Sequence, residues 1–360
     1  MSEAVGDAAA QRLATEIAEI PPPDGNARRA AEIELGAKTK PRGSLGRLEQ
    51  LAAQIASLRG VARPGLLEAA IVVAAADHGV VAEGVSAYPQ EVTAQMVANF
   101  ASGGAAVSVL ARQAGARLLV VDAGVAGAYK AAGVRRIGLG AGTANFTRGP
   151  AMTEEQALQA LLAGIDLAEE LAAAGIGIVA LGEMGIGNTT AASCLAAALL
   201  PSEAAPVTGP GTGLDPGGVA RKAAVVERAL QVNEASLDEP LHVAAALGGF
   251  EIALLAGLAL GAARRRLAVV VDGFISAAAT LLAARLAPAT RDYMIAAHLS
   301  PEPGHRLILA ELELEPLLTL DLRLGEGSGA AAALPLIRAA LAILEEMATF
   351  GEAGVADAGR

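Results

Sequence analysis

The chain is predicted to be an α/β protein: a Rossmann-like, mostly parallel, doubly wound sheet with a small helical domain formed by both chain ends. Three observations lead there. Short apolar runs recur through the middle of the chain with helical patterns between most of them, several of these runs stop on an acid followed by glycine, and the first 60 residues carry helical periodicity without a strand. The boundaries read this way are 1–60 for a helical cap, to which 331–360 return, and 61–330 for the large domain carrying the site.

The cap opens with a helical pattern over residues 8–20, stopped by Pro21-Pro22-Pro23, and a second over Ala27 to Ala37. A basic loop, Lys38 to Gly46, follows, and then Leu48, Leu51, Ala52, Ile55 and Leu58 recur at helical spacing. Strands are expected at Ala69 to Ala76, Leu118 to Val121, Ile176 to Leu181, Leu267 to Val271, Tyr293 to His298 and Leu317 to Leu322. Alternation of strand and helix places chemistry along the carboxyl edge of such a sheet. The last helix runs over roughly Ala330 to Phe350.

Composition narrows the classes. The chain has 360 residues, 53% hydrophobic but only 2% aromatic, so Ala, Leu, Val and Gly carry the apolar load and suit close packing of helix on sheet. A net charge of −11 argues against a nucleic-acid surface. The single cysteine, Cys194, excludes an internal disulfide and fits a reducing cytoplasm. The opening residues lack an apolar signal core. Val243 to Ala263 are nearly continuous apolar sequence, but Glu251 falls inside it, so a buried helix is expected rather than a membrane span.

One stretch organises the rest. Ile176 to Leu181 lead into Gly182-Glu183-Met184-Gly185-Ile186-Gly187-Asn188-Thr189-Thr190, and an Ala/Leu-rich helix follows as far as Pro201. Strand, glycine turn and helix start aim backbone N–H groups and a positive helix end at one spot, which suits a phosphate. The same pattern also reads as a tight turn with Asn188 or Thr189 as N-cap, and spacing alone leaves both readings open. Arg323-Leu324-Gly325-Glu326-Gly327-Ser328-Gly329 repeats the theme. Two glutamates, Glu183 and Glu326, are therefore each set among glycines, where partial burial would raise a carboxyl pKa toward that of a general base. The alternative is that each caps its following helix. No Walker lysine follows the glycines, and the four histidines show no zinc spacing.

Five segments in order, Lys40 to Leu48, Ala76-Asp77-His78-Gly79-Val80, Gly182 to Thr190, His298 to His305 and Gly325 to Gly329, resemble the nicotinate-nucleotide:dimethylbenzimidazole phosphoribosyltransferase family. The resemblance implies transfer of a phosphoribosyl group from nicotinate mononucleotide to a benzimidazole, with inversion, toward the lower ligand of cobalamin. It implies Glu326 as the base and Glu183 as the assisting carboxylate. It places Gly185, Gly187, Asn188 and Thr189 on the nucleotide turn, and Gly211, Lys222, Asp272, Gly273, Phe274 and Ser300 on the donor side. Tyr88, Met96 and Met184 fall on the acceptor-base wall, an adaptable apolar slot. No cofactor and no metal are implied, and the family's members are homodimers. A non-catalytic nucleotide- or base-binding protein could share the cradle but would not need paired carboxylates. A dinucleotide oxidoreductase would want a glycine fingerprint after the first strand, where Asp77-His78-Gly79 stand instead.

Overall fold

The computed structural model describes residues 2–356. Six strands form one all-parallel sheet: β1 (Glu68–Ala76), β2 (Arg117–Gly124), β3 (Val134–Arg136), β4 (Ile176–Met184), β5 (Ala268–Val271) and β6 (Met294–Ala296), in the order β3-β2-β1-β4-β5-β6. β1 pairs with β2 through Ala74↔Val121 and with β4 through Ala74↔Glu183. β1 and β4 are buried along nearly their whole length, which explains their unbroken apolar runs: both faces are covered by helices. The strand order reverses direction between β1 and β4, so their carboxyl ends open a crevice at the centre of the edge.

Two expectations are corrected, and one strand is added. Residues 317–322 form no strand; Leu318 makes a single parallel bridge to His298, continuing the edge just past β6. The strand on the opposite edge, β3, is only Val134-Arg135-Arg136, too short and too charged to show as an apolar run. The apolar stretch from Val243 is two helices, Pro240–Leu247 and Phe250–Arg264, broken at Gly248-Gly249. Small residues matter most between helices. A side chain at Gly164 or Gly257 would collide with the backbone of the opposite helix, so the Glu154–Ala173 and Phe250–Arg264 helices touch along their main chains.

Near the termini, the Gly25–Ala37 and Arg47–Arg59 helices pack together, and the Ser328–Glu346 helix lies against the latter and against β1 and β4. Lys38 pairs antiparallel with Thr349, joining the two chain ends. The first helix, Ser2–Ala18, instead lies on the 154–173 and 250–264 helices, held by Glu16 to Arg264 at 3.0 Å and to Arg265 at 3.2 Å. Among the described residues, two helical stretches reach the length and hydropathy of a membrane span. Of these, Glu91–Ala114 is interrupted at Gly103-Gly104, and Ser328–Glu346 buries one face on the sheet.

Candidate active site

At the crevice, β4 delivers Gly182-Glu183-Met184, then the chain turns through Gly185-Ile186-Gly187 into the Asn188–Leu199 helix. Gly187 sits at φ 96°, a left-handed conformation that brings the helix start back over the strand end. A cleft opens there, lined by Glu183, Met184, Gly185, Asn188 and Thr189, by Gly211 and Thr212, by Gly273 and Phe274, and by His298, Ser300 and Glu302. Nine of the residues picked from the sequence are thus brought together in one place.

Four others lie apart from it. Lys222, on the Pro216–Val232 helix, is buried behind the turn, where its Nζ donates to Thr189 Oγ1 at 2.8 Å and to the Gly209 carbonyl at 3.2 Å. Burial lowers its pKa to about 8, opposed by Glu302. Asp272, after β5, is also buried; its carboxylate accepts the N–H of Ala330 at 2.8 Å and of Gly327 at 3.1 Å. It therefore caps the Ser328–Glu346 helix and holds the Glu326 turn rather than facing the cleft. Burial pushes it up to about 7, while those backbone donors pull it down. Tyr88 is 52% exposed on the loop before the Glu91–Ser102 helix, and Met96 is half-buried on that helix.

The two glutamates stand back to back. A side chain on Gly325 would collide with Glu183 Oε1, and one on Gly182 would come within 2.5 Å of the Glu326 carbonyl. Glu183 is buried at the cleft wall and pushed up to about 8, chiefly by desolvation, with Asn188 as its hydrogen-bond donor and with Asp272, Glu251 and Glu326 adding like charge. Glu326 has φ 63° between Gly325 at 80° and Gly327 at 84°, three left-handed residues in succession. A non-glycine there is strained, the kind of outlier that gathers at functional sites. Its carboxyl does not line the cleft. Its Oε2 is buried without a partner, and burial raises its pKa, opposed by the backbone of Val107 at the start of the Ala106–Ala114 helix.

Sequence reasoning missed Glu302. Its Oε1 accepts the Gly211 N–H at 2.9 Å, its backbone N–H lies 3.4 Å from Ser300 Oγ, and burial raises its pKa against Lys222. The only signal was a glutamate between two prolines, Pro301-Glu302-Pro303. His298 also lines the cleft, and His305 behind it accepts the Ser300 N–H at 3.0 Å on Nδ1, with burial lowering its pKa to about 3.

An open parallel sheet whose switch point holds a glycine-lined helix start and protonatable carboxylates can bind an anionic small molecule and move a proton, the outline of an enzyme site. The comparisons say which. A family model described as Phosphoribosyltransferase matches residues 20–355, and the chain belongs to that family. The nicotinate-nucleotide–dimethylbenzimidazole phosphoribosyltransferase of Azotobacter vinelandii is 58% identical over 324 residues, 89% of this chain and 92% of its own. That of Roseiflexus sp. is 53% identical over 95% of this chain and 98% of its own. The solved structure of the Thermus thermophilus enzyme of the same name superposes with a TM-score of 0.86 at 49% identity, covering 93% of this chain and 99% of that one.

Proposed function

We propose that this enzyme transfers the 5-phosphoribosyl group of nicotinate mononucleotide to 5,6-dimethylbenzimidazole or a related base, with inversion, giving α-ribazole 5′-phosphate and nicotinate. The observation that supports it best is the pair of glycine-bracketed glutamates: Glu183 lines the cleft, and Glu326, in the adjoining turn packed against it, has its own carboxyl outside that lining. Inversion needs both sides, because nicotinate leaves and the incoming base arrives on opposite faces of C1′.

In this reading the phosphate rests on the Gly185–Thr189 turn with Gly211, Gly273, Phe274 and Ser300 around the donor. Lys222 contributes from behind, through Thr189. The C1′–N bond breaks with its electron pair going to the pyridine nitrogen, which leaves neutral and needs no acid. One benzimidazole nitrogen forms the new bond to C1′, and the proton on the other passes to Glu326. A carboxylate whose pKa is raised is the better acceptor for that proton. Glu183 stands beside the positive charge that grows on the ribose, and that charge would draw its proton off. Met184, Tyr88 and Met96 supply the apolar wall for the flat acceptor.

The same reading includes a homodimer working in the cytoplasm without a nucleic-acid or membrane partner; the net charge of −11 supports the lack of a nucleic-acid surface, and the lone buried cysteine a reducing compartment. It also keeps a helical unit of 1–60 with 331–360 beside a large domain of 61–330. Sedimentation of the purified chain tests the dimer. For the reaction, nicotinate mononucleotide and 5,6-dimethylbenzimidazole are incubated with the enzyme and the products separated by chromatography. Ribazole phosphate and nicotinate in equal amounts are expected. Nucleotide binding without any product from benzimidazoles, purines or phenols would overturn the transferase reading in favour of a binding protein.

A further inference from the structure

Beneath the donor turn lies a buried pair that the chemistry above does not use. His78, just after β1, and Glu251, on the Phe250–Arg264 helix, are both fully buried, with Nε2 and Oε1 at 2.8 Å. Neither His78 Nδ1 nor Glu251 Oε2 has a further partner. Such a pair is costly: two polar groups give up water, and well-packed apolar residues in their place are often as stable or more so. Stability is therefore a poor reason for its presence.

Its location supplies another. A Cβ on Gly185 would collide with the Ala76 carbonyl and come within 3.2 Å of both Glu251 Oε1 and His78 Cδ2. A Cβ on Gly187 would lie 3.3 Å from His78 Cβ. The backbone of the turn rests directly on the pair. On the other side, a Cβ on Gly249 would collide with His78 Cε1 and approach Glu251 Oε2 at 2.7 Å. The pair is thus clamped between two glycine backbones, and its position sets how far the Gly185–Gly187 turn stands from β1. A second prop acts beside it, where Thr93 Oγ1 accepts the Ile186 N–H at 3.1 Å.

We propose that His78 and Glu251 are positioning residues for the donor: they seat the Gly185–Gly187 turn, and so its phosphate-facing N–H groups and Glu183, at the distance the nucleotide needs. Neither residue touches substrate. The proposal rests on the transferase reading, because it assigns the turn to the donor. The titratable groups around the pair are Asp77 beside His78, and Glu183 at the end of β4, whose raised pKa includes a contribution from Glu251.

The test uses three variants of the full chain: Glu251→Gln, His78→Leu/Glu251→Leu and, for the neighbouring prop, Thr93→Ser. Turnover is followed with nicotinate mononucleotide and 5,6-dimethylbenzimidazole, nucleotide binding by calorimetry, and folding by thermal melting. The double leucine variant should melt near or above wild type yet show a KM and a dissociation constant for nicotinate mononucleotide raised about tenfold or more, with the KM for the benzimidazole within about twofold of wild type. Glu251→Gln, which keeps the shape, should raise the nucleotide KM about threefold or more with the benzimidazole KM within about twofold of wild type. Thr93→Ser, which keeps the hydroxyl, should stay near wild type.

A purely structural pair would lower the melting point without splitting the two KM values. Nucleotide affinity within about twofold of wild type in the folded variants overturns the proposal. If the double variant fails to fold, Glu251→Gln decides by the same criterion. Absence of turnover in the wild type would count against the transferase reading instead, so the two failures are distinguishable.

Discussion

The turns around Glu183 and Glu326 look alike as sequence, each a glutamate among glycines ahead of an apolar helix, yet the structure builds them differently. Glu183 lies one residue before the end of β4, in extended backbone paired with Ala74 of β1; Glu326 follows no strand and is left-handed, as are both its neighbours. Glu183 lines the cleft and is held by Asn188, whereas Glu326 does not line it and leaves its buried Oε2 without a partner. The difference shows that similar spacing does not mean a similar role. A strand end fixes a carboxyl against the cleft. A strained turn can aim one away from the strand axis.

Glu326→Gln should have the largest effect. Removing the base without changing shape is expected to lower kcat by about 10²–10⁴-fold, read in the turnover assay, with nucleotide binding retained. The wild-type rate should rise with pH through a midpoint above the ordinary glutamate value of 4.5, because the base must be ionised and burial holds its proton. Full activity in the variant would remove Glu326 as the base and leave both glutamates without distinct roles.

Glu183→Gln should cost less activity, about 10–10²-fold in kcat, since its charge assists rather than accepts the transferred proton. Its clearest signature is in stability. The folded chain holds the Glu183 proton up to about 8 while the unfolded chain releases it near 4.5, so stability falls as pH rises across that window. By linkage the loss is roughly 4 kcal/mol, and glutamine does not suffer it. The variant should match wild type near pH 4.5 and melt increasingly higher than wild type as pH approaches 8; parallel melting curves across that range would contradict the buried, protonated carboxyl.

The contrast between the two turns also explains what could be read in advance. β1, β2, β4 and β5 were legible because buried parallel strands are continuous apolar runs, whereas Val134-Arg135-Arg136 has no such run to show. Residues 317–322 alternate like a strand but only pass the sheet edge, where one bridge at Leu318 is available. The cleft residues near Gly185 are local in sequence and could be seen together. Asp272 and Lys222 sit on suitable elements, but their bonding is spent on Ala330, Gly327, Thr189 and Gly209, a tertiary fact that spacing does not hold. His78 and Glu251, 173 residues apart, could not have been paired from the sequence.

Smaller effects separate the turns by backbone rather than charge. Gly325→Ala places a methyl group against Glu183 Oε1 at a position with φ 80°, so it strains the backbone and displaces the carboxylate together. A loss of about 1–3 kcal/mol in denaturant unfolding and about tenfold in kcat is expected. Unchanged kinetics would mean the two carboxyls can move independently despite their contact.

The smallest effect concerns the strain itself, and its sign is opposite. Glu326 occupies a conformation that glycine adopts freely, so Glu326→Gly removes a left-handed side chain and a buried carboxyl whose Oε2 is unpaired. It also adds freedom to the unfolded chain, which offsets part of the gain. The net should be stabilisation of about 1 kcal/mol with activity abolished, measured by chemical denaturation and turnover on the same preparation. At Glu183 the backbone is extended, glycine relieves no strain, and Glu183→Gly should cost stability instead. Opposite signs for the same substitution in two similar motifs would show that one turn is held in its shape for the carboxyl it carries, while the other is a strand end that any buried residue could complete.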